Sequence, residues 1–198
     1  MANRNFLVGL VVGVIVTWFV SQWPVTAADK TVESPNCIPA ATVADYLHTV
    51  IQADRTFYTT EIVERMQMRG IVVASENWRI MAKLPLPAQF LMEAGRLISQ
   101  EGSGLRFRLI SNWPINRTNS PATEFEQKGL TEILVNPDRP YTAMTTQNGA
   151  AVFQAIYADR AVSQSCVGCH NAHPSSPRKD FKSRDVIGGL VLTIPLQR

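Results

Sequence analysis

The stretch Ser165–Ser176, SCVGCHNAHPSS, constrains this chain more than any other. Two of the three cysteines, Cys166 and Cys169, stand three residues apart, and His170 follows directly. A structural zinc site needs four ligands, usually two cysteine pairs or a cysteine pair with a histidine pair at set distances. Here there is one pair, and only Cys37, His48, His170 and His173 are available to complete it. A thioredoxin-like dithiol wants its pair at the start of a helix that follows a strand in a βαβ pattern, which the surroundings do not show. A plain disulfide suits an oxidising compartment but leaves the adjacent histidine unexplained. Cys-x-x-Cys-His has a mechanism for every position: the thiols add to haem vinyl groups, and one helical turn aims the imidazole at the iron. The motif predicts one covalently bound c-type haem, haem c, with Cys166 and Cys169 as anchors and His170 as proximal iron ligand.

The N-terminus agrees with that chemistry. Arg4 precedes an apolar run of about 15 residues, Phe6 to Val20, and Val25-Thr26-Ala27-Ala28 supplies small residues for cleavage. A spanning helix wants about 20 apolar residues, a length the run approaches only when counted through Trp23. Residues 1–28 are expected to be a signal peptide cleaved after Ala27 or a retained apolar membrane-anchor helix, with residues 29–39 as linker. In the retained case, Gly9 and Gly13 have a spacing that suits helix pairing. Either outcome puts the rest of the chain outside the cytoplasm, periplasmic, secreted or membrane-anchored, where covalent attachment keeps haem from being lost.

About 170 residues remain, enough for one domain with a core. A net charge of +3, with no basic stripe carrying interleaved aromatics, gives nucleic-acid binding no support. The basic cluster Arg178, Lys179, Lys182 and Arg184 is broken by Asp180 and Asp185 and reads as a solvated loop face. Val43, Leu47, Val50, Ile51, Phe57, Ile62 and Met66 recur near a 3.6 period, so Ala40 to Met68 is expected to be one long amphipathic helix. A second helix is expected over Pro85–Ser99, and a third from Ser120 to Leu134 with Ser120 as cap and Pro121 at its first position. Leu105–Ile110 alternates like a half-buried strand. Tyr141–Thr146 and Ala151–Ala158 read as a hairpin about Asn148-Gly149, and Val186–Leu196 as a closing strand. The order implies an α+β domain with an antiparallel sheet of four or five strands.

CVGCHNAHPSSPRKDFKSRDVIGGLVLTIPL carries a resemblance through Asn171, His173, Pro174, Ser176, Pro177, Phe181, Lys182, Asp185, Val186 and Gly188. The segment resembles the close of the bacterial c-haem sensor domains with a PAS-like fold, found outside the membrane in chemoreceptors, histidine kinases and cyclases and as free-standing cyanobacterial proteins. The likeness extends upstream through PLPAQFLMEAGRLIS, SNWPINR and the helix around Phe125, covering most of residues 40 to 196. It implies a PAS-like antiparallel sheet flanked by helices over residues 40–198, with haem between them and with His173 and Lys182 as further cofactor-binding residues. Only Gln197 and Arg198 follow Leu196, so no output domain is expected and a sensing role would pass through a separate protein.

Two functions follow. The iron either passes single electrons to or from a redox partner protein, or senses a gas or the ambient redox state for a signalling partner protein. No carboxylate pair or triad stands out near the motif, so an enzyme is not expected. A strong sixth ligand favours electron transfer. Met92, in AQFLMEAG, is the first candidate: the resemblance associates that helix with a side chain facing the haem. Cys37, an unpaired thiol, is the second and Met68 the third, with Met66 and Met81 as core filler. His48 reads as solvated.

Overall fold

The apolar period between Val43 and Met66 becomes one continuous rod in the computed structural model, which describes residues 37–196. The expected anchor helix, the cleavage site and most of the linker lie outside the described residues. Helix α1 (Ala40–Phe57) runs into a π-helical segment (Tyr58–Glu64) and then α2 (Arg65–Met68). A short α3 (Trp78–Met81), not expected from the sequence, ends at Ala82 with a left-handed φ of 47°. Helix α4 (Pro87–Gln100) opens with Pro at its first position, where a missing N–H costs nothing.

Strand β1 (Arg106–Ile110) precedes a 3₁₀ turn (Arg117–Asn119) and helix α5 (Glu124–Val135). That helix starts later than its Ser120-Pro121 signal suggests. The Glu126 N–H donates to the Thr123 hydroxyl at 3.2 Å, and the Glu126 carboxylate reaches back to the Ala122 N–H at 2.6 Å. Thr123 has a glutamate three residues on and Ser120 does not, so the reciprocal cap forms at Thr123. Ser120 closes the 3₁₀ turn instead.

Strands β2 (Tyr141–Gln147) and β3 (Ala150–Arg160) meet at Asn148-Gly149, whose φ values of 51° and 80° give the hairpin turn its twist. After α6 (Gln164–Ala172), strand β4 (Val186–Pro195) enters between β1 and β3. The fold is α+β, with a four-stranded antiparallel sheet in the order β1-β4-β3-β2, flanked by helices. The two inner strands are nearly continuous in apolar residues because both their faces are covered. Ala155, Tyr157, Leu190 and Leu192 pack with residues of α1 and α4, while Ile156 and Val191 pack with Leu130 and Ile133 of α5. A side chain on Gly188 would strike the Ile110 carbonyl oxygen, so β4 can cross this close to β1 only with glycine there.

One expectation on α1 fails. His48 is half-buried, with its ring stacked on Tyr157 at 4.0 Å and 8°, rather than solvated. Burial lowers its pKa below the ordinary value, against the opposing pull of Asp45 and Asp159. The Tyr157 hydroxyl beneath it donates to Asp45 at 2.7 Å, and burial first, then Asp45, raises the phenol.

Candidate functional site

Helix α6 is started by Ser163, whose hydroxyl accepts from the Cys166 N–H at 3.2 Å and lies 3.3 Å from the Cys166 sulfur. Positions three and four apart on a helix share a face, so Cys166, Cys169 and His170 come to one side of α6. All three line a cavity of about 990 Å³, and neither cysteine is in a disulfide. The opposite walls come from Arg55, Thr59, Val63 and Gln67 of the long helix and from the start of α4. The end of β1 and the segment after it, with Trp113, complete the lining.

The structure brings Met92 and His173 to this cavity with the motif. Met92 is 39 % exposed. Cys37 is exposed ahead of α1, and Lys182 lies on an exposed turn with its N–H donating to Asp185; neither is among the lining residues. Met68 is 80 % exposed and does not line it either. Among the described residues, no three or more His, Cys, Asp or Glu side chains are grouped to hold a metal ion by themselves.

Polar contacts hold α6 in place. The Asn171 amide donates to the Phe181 carbonyl and accepts from the Phe181 N–H, both at 2.9 Å. The Phe181 ring thereby stands edge-on to His170 at 5.6 Å. The Arg178 guanidinium lies over both Phe181 (4.4 Å) and Trp113 (4.8 Å), tying the loop after α6 to the cavity wall. His173 accepts at Nδ1 from the Ser175 N–H at 3.1 Å and meets Glu76 through Nε2 at 3.0 Å. It thus bridges the end of α6 to the segment before α3.

The cavity also holds a buried ion pair that the sequence reading missed. Arg55 and Asp159 are 4 % and 6 % exposed and bonded to each other. Burial opposes the Arg55 charge, but the attraction of Asp159 and its hydrogen bond outweigh it and hold the guanidinium above its usual pKa. A signal existed: Leu47, Ile51 and Arg55 fall four apart, which puts an arginine in phase with the apolar stripe. Desolvation lowers the His170 pKa, with Asp159 opposing and Arg55 assisting, so its lone pairs are free at neutral pH. Although Cys169 as a whole residue is exposed, desolvation, then Glu76 and Cys166, raise its thiol pKa.

These residues fit the haem that the motif implies. The donor set is two thiols and a neutral imidazole on one helical face. His170 Nδ1 and Arg55 Nε are buried without a hydrogen-bond partner among the described residues, and such groups cost about 1–3 kcal/mol each unless satisfied. The lining combines apolar Val63, Leu109, Ile110 and Ile187 with the Arg55 cation, as an apolar ring bearing carboxylates requires.

The model of the Tll0287-like family matches residues 38–195 of the chain. Among solved structures, the cyanobacterial haem protein Tll0287 is similar at a TM-score of 0.45 and 15 % identity, over 81 % of this chain and 99 % of that one. No curated protein matches the chain in sequence.

Proposed function

The chain belongs to the Tll0287-like family, and from that premise we propose that residues 40–198 form a PAS-like domain carrying one covalent haem c and passing single electrons to or from a partner protein outside the cytoplasm. The observation that carries this reading is the presentation of Cys166, Cys169 and His170 from one helical face into one cavity. Cys166 and Cys169 would hold the macrocycle through thioether bonds, and His170 would take the iron. Arg55, fixed by Asp159, would meet a carboxylate at the buried edge, and Met92 would supply the sixth ligand. When bound, the iron supplies one-electron chemistry. The protein's share is to exclude water with Val63, Ile110 and Trp113 and to keep the His170 ring oriented against Phe181.

Absorption spectra of the reduced protein, with and without carbon monoxide, test this reading. Haem is expected to stay with the protein in acidified organic solvent and to be extracted from a Cys166→Ser/Cys169→Ser variant. Free extraction from the wild type would refute covalent attachment. Met92→Ala should bind carbon monoxide faster than wild type. Equal rates would mean an already open site and favour a gas or redox sensor acting through a partner protein. A changed oxidised spectrum in Cys37→Ser alone would assign the sixth position to the Cys37 thiolate.

A further inference from the structure

The loop after α6 carries charges that the site itself does not use. Lys179, Lys182 and Arg184 are exposed, and among the described residues none of their charged ends takes part in a hydrogen bond or ion pair. The two carboxylates in the loop are already matched, since Arg178 meets Asp180 at 2.7 Å and Asp185 at 3.7 Å. Three unneutralised cations therefore lie within six residues of chain. Their positions are fixed by the backbone: Phe181 is clamped by Asn171, the Lys182 N–H donates to Asp185 at 2.9 Å, and the Arg184 N–H donates to the Ala161 carbonyl at 3.0 Å.

What lies beneath gives the cluster a use. Phe181, 3 % exposed, presents its ring edge-on to His170. The exposed cations thus surround the one buried side chain that separates this loop from the imidazole on the cavity wall. We propose that Lys179, Lys182 and Arg184 form the docking surface for a redox partner with an acidic face, which exchanges electrons through the Phe181–His170 side of the domain. This rests on the covalent haem reading. Like-signed charge at a contact site raises encounter rates with an oppositely charged partner by about 10- to 1000-fold, an effect that falls with salt. An anionic membrane is the poorer match, because lipid recognition by basic residues uses clusters of about four to eight.

The experiment is stopped-flow oxidation of the reduced haem protein by an anionic mediator, hexacyanoferrate(III), and reduction of the oxidised protein by a cationic one, hexaammineruthenium(II), at low and high salt. Wild type is compared with a Lys179→Glu/Lys182→Glu/Arg184→Glu variant and with a variant carrying Gln at the same three positions. Haem content and midpoint potential are measured first. The Glu variant is expected to lose about tenfold in rate with the anion and gain with the cation, the Gln variant to fall between, and the differences to vanish at high salt. Unchanged rates in both variants, with haem content and potential intact, would overturn the docking surface and leave the haem reading standing. Loss of sedimentation with phosphatidylserine vesicles alongside unchanged mediator rates would assign the cations to a membrane and also overturn it. Wild type without covalent haem would remove both readings at once.

Discussion

Strand β4 and helix α6 are neighbours in sequence and are held by opposite means. Seven successive residues of β4, Ile187 to Thr193, are buried between helices on both sides of the sheet. Helix α6 has no fully buried residue. It is kept in place by a cap at Ser163, a two-bond clamp at Asn171 and the stacked Arg178. Apolar burial is shared over many contacts and spreads damage across the domain, whereas a polar pin fails alone and locally. The sheet is therefore the part that decides whether the chain folds, and α6 is the part free to adjust around a cofactor.

The sharpest way to break this comparison lies where the two regions meet. Replacing Asp159 with Leu leaves Arg55 charged and buried, and is expected to cost about 3–5 kcal/mol in chemical denaturation. Arg55→Leu/Asp159→Leu should recover most of that; a double variant as unstable as the single would mean that lost packing, not the orphaned charge, dominates. Within the sheet, Leu192→Ala is expected to cost about 3 kcal/mol through transfer and cavity terms. Its denaturation midpoint should shift with the slope unchanged. In α6, Asn171→Ala removes two hydrogen bonds and should cost about 2 kcal/mol, expressed locally. Amide exchange of residues 173–184 should speed up while β3 and β4 stay protected, and equal deprotection of the strands would erase the distinction.

The smallest effect concerns pH. His48 has a folded pKa below its ordinary value because of burial, so the unfolded chain binds the proton first as pH falls. Stability is full above the unfolded value of about 6.5 and is lost as pH drops through the lower folded value. His48→Phe should flatten that slope in thermal unfolding between neutral pH and mild acid. An unchanged slope would assign the acid sensitivity to other groups.

The helices and strands were legible because each has a clear period and punctuation: Pro87 opens α4, Asn148-Gly149 turns the hairpin and the apolar run of β4 is unbroken. The motif was legible too, since its chemistry is written in five adjacent residues. The rest depends on distance in sequence. Asp159 neutralises Arg55 from 104 positions away, and nothing local to either residue announces the other. His48 sits on a face that seems polar until Tyr157, on a strand far along the chain, comes to cover it. Ser120 and Thr123 are both competent caps, and only the glutamate at 126 distinguishes them.

Arg55, Thr59, Val63 and Gln67 reach the cavity from positions four apart. At about 3.6 residues per turn, that spacing drifts steadily round a regular helix. The π-helical segment Tyr58–Glu64, with its hydrogen bonds reaching five residues, is wider and takes up the drift. The length of chain here is consequently fixed to the residue. A single deletion between 58 and 64 would let the helix relax to regular geometry and swing Arg55 about 100° away from Asp159. Relatives that keep the cavity with an ordinary helix should be one residue shorter at this point, and an alignment without that gap will pair Arg55 with the wrong position.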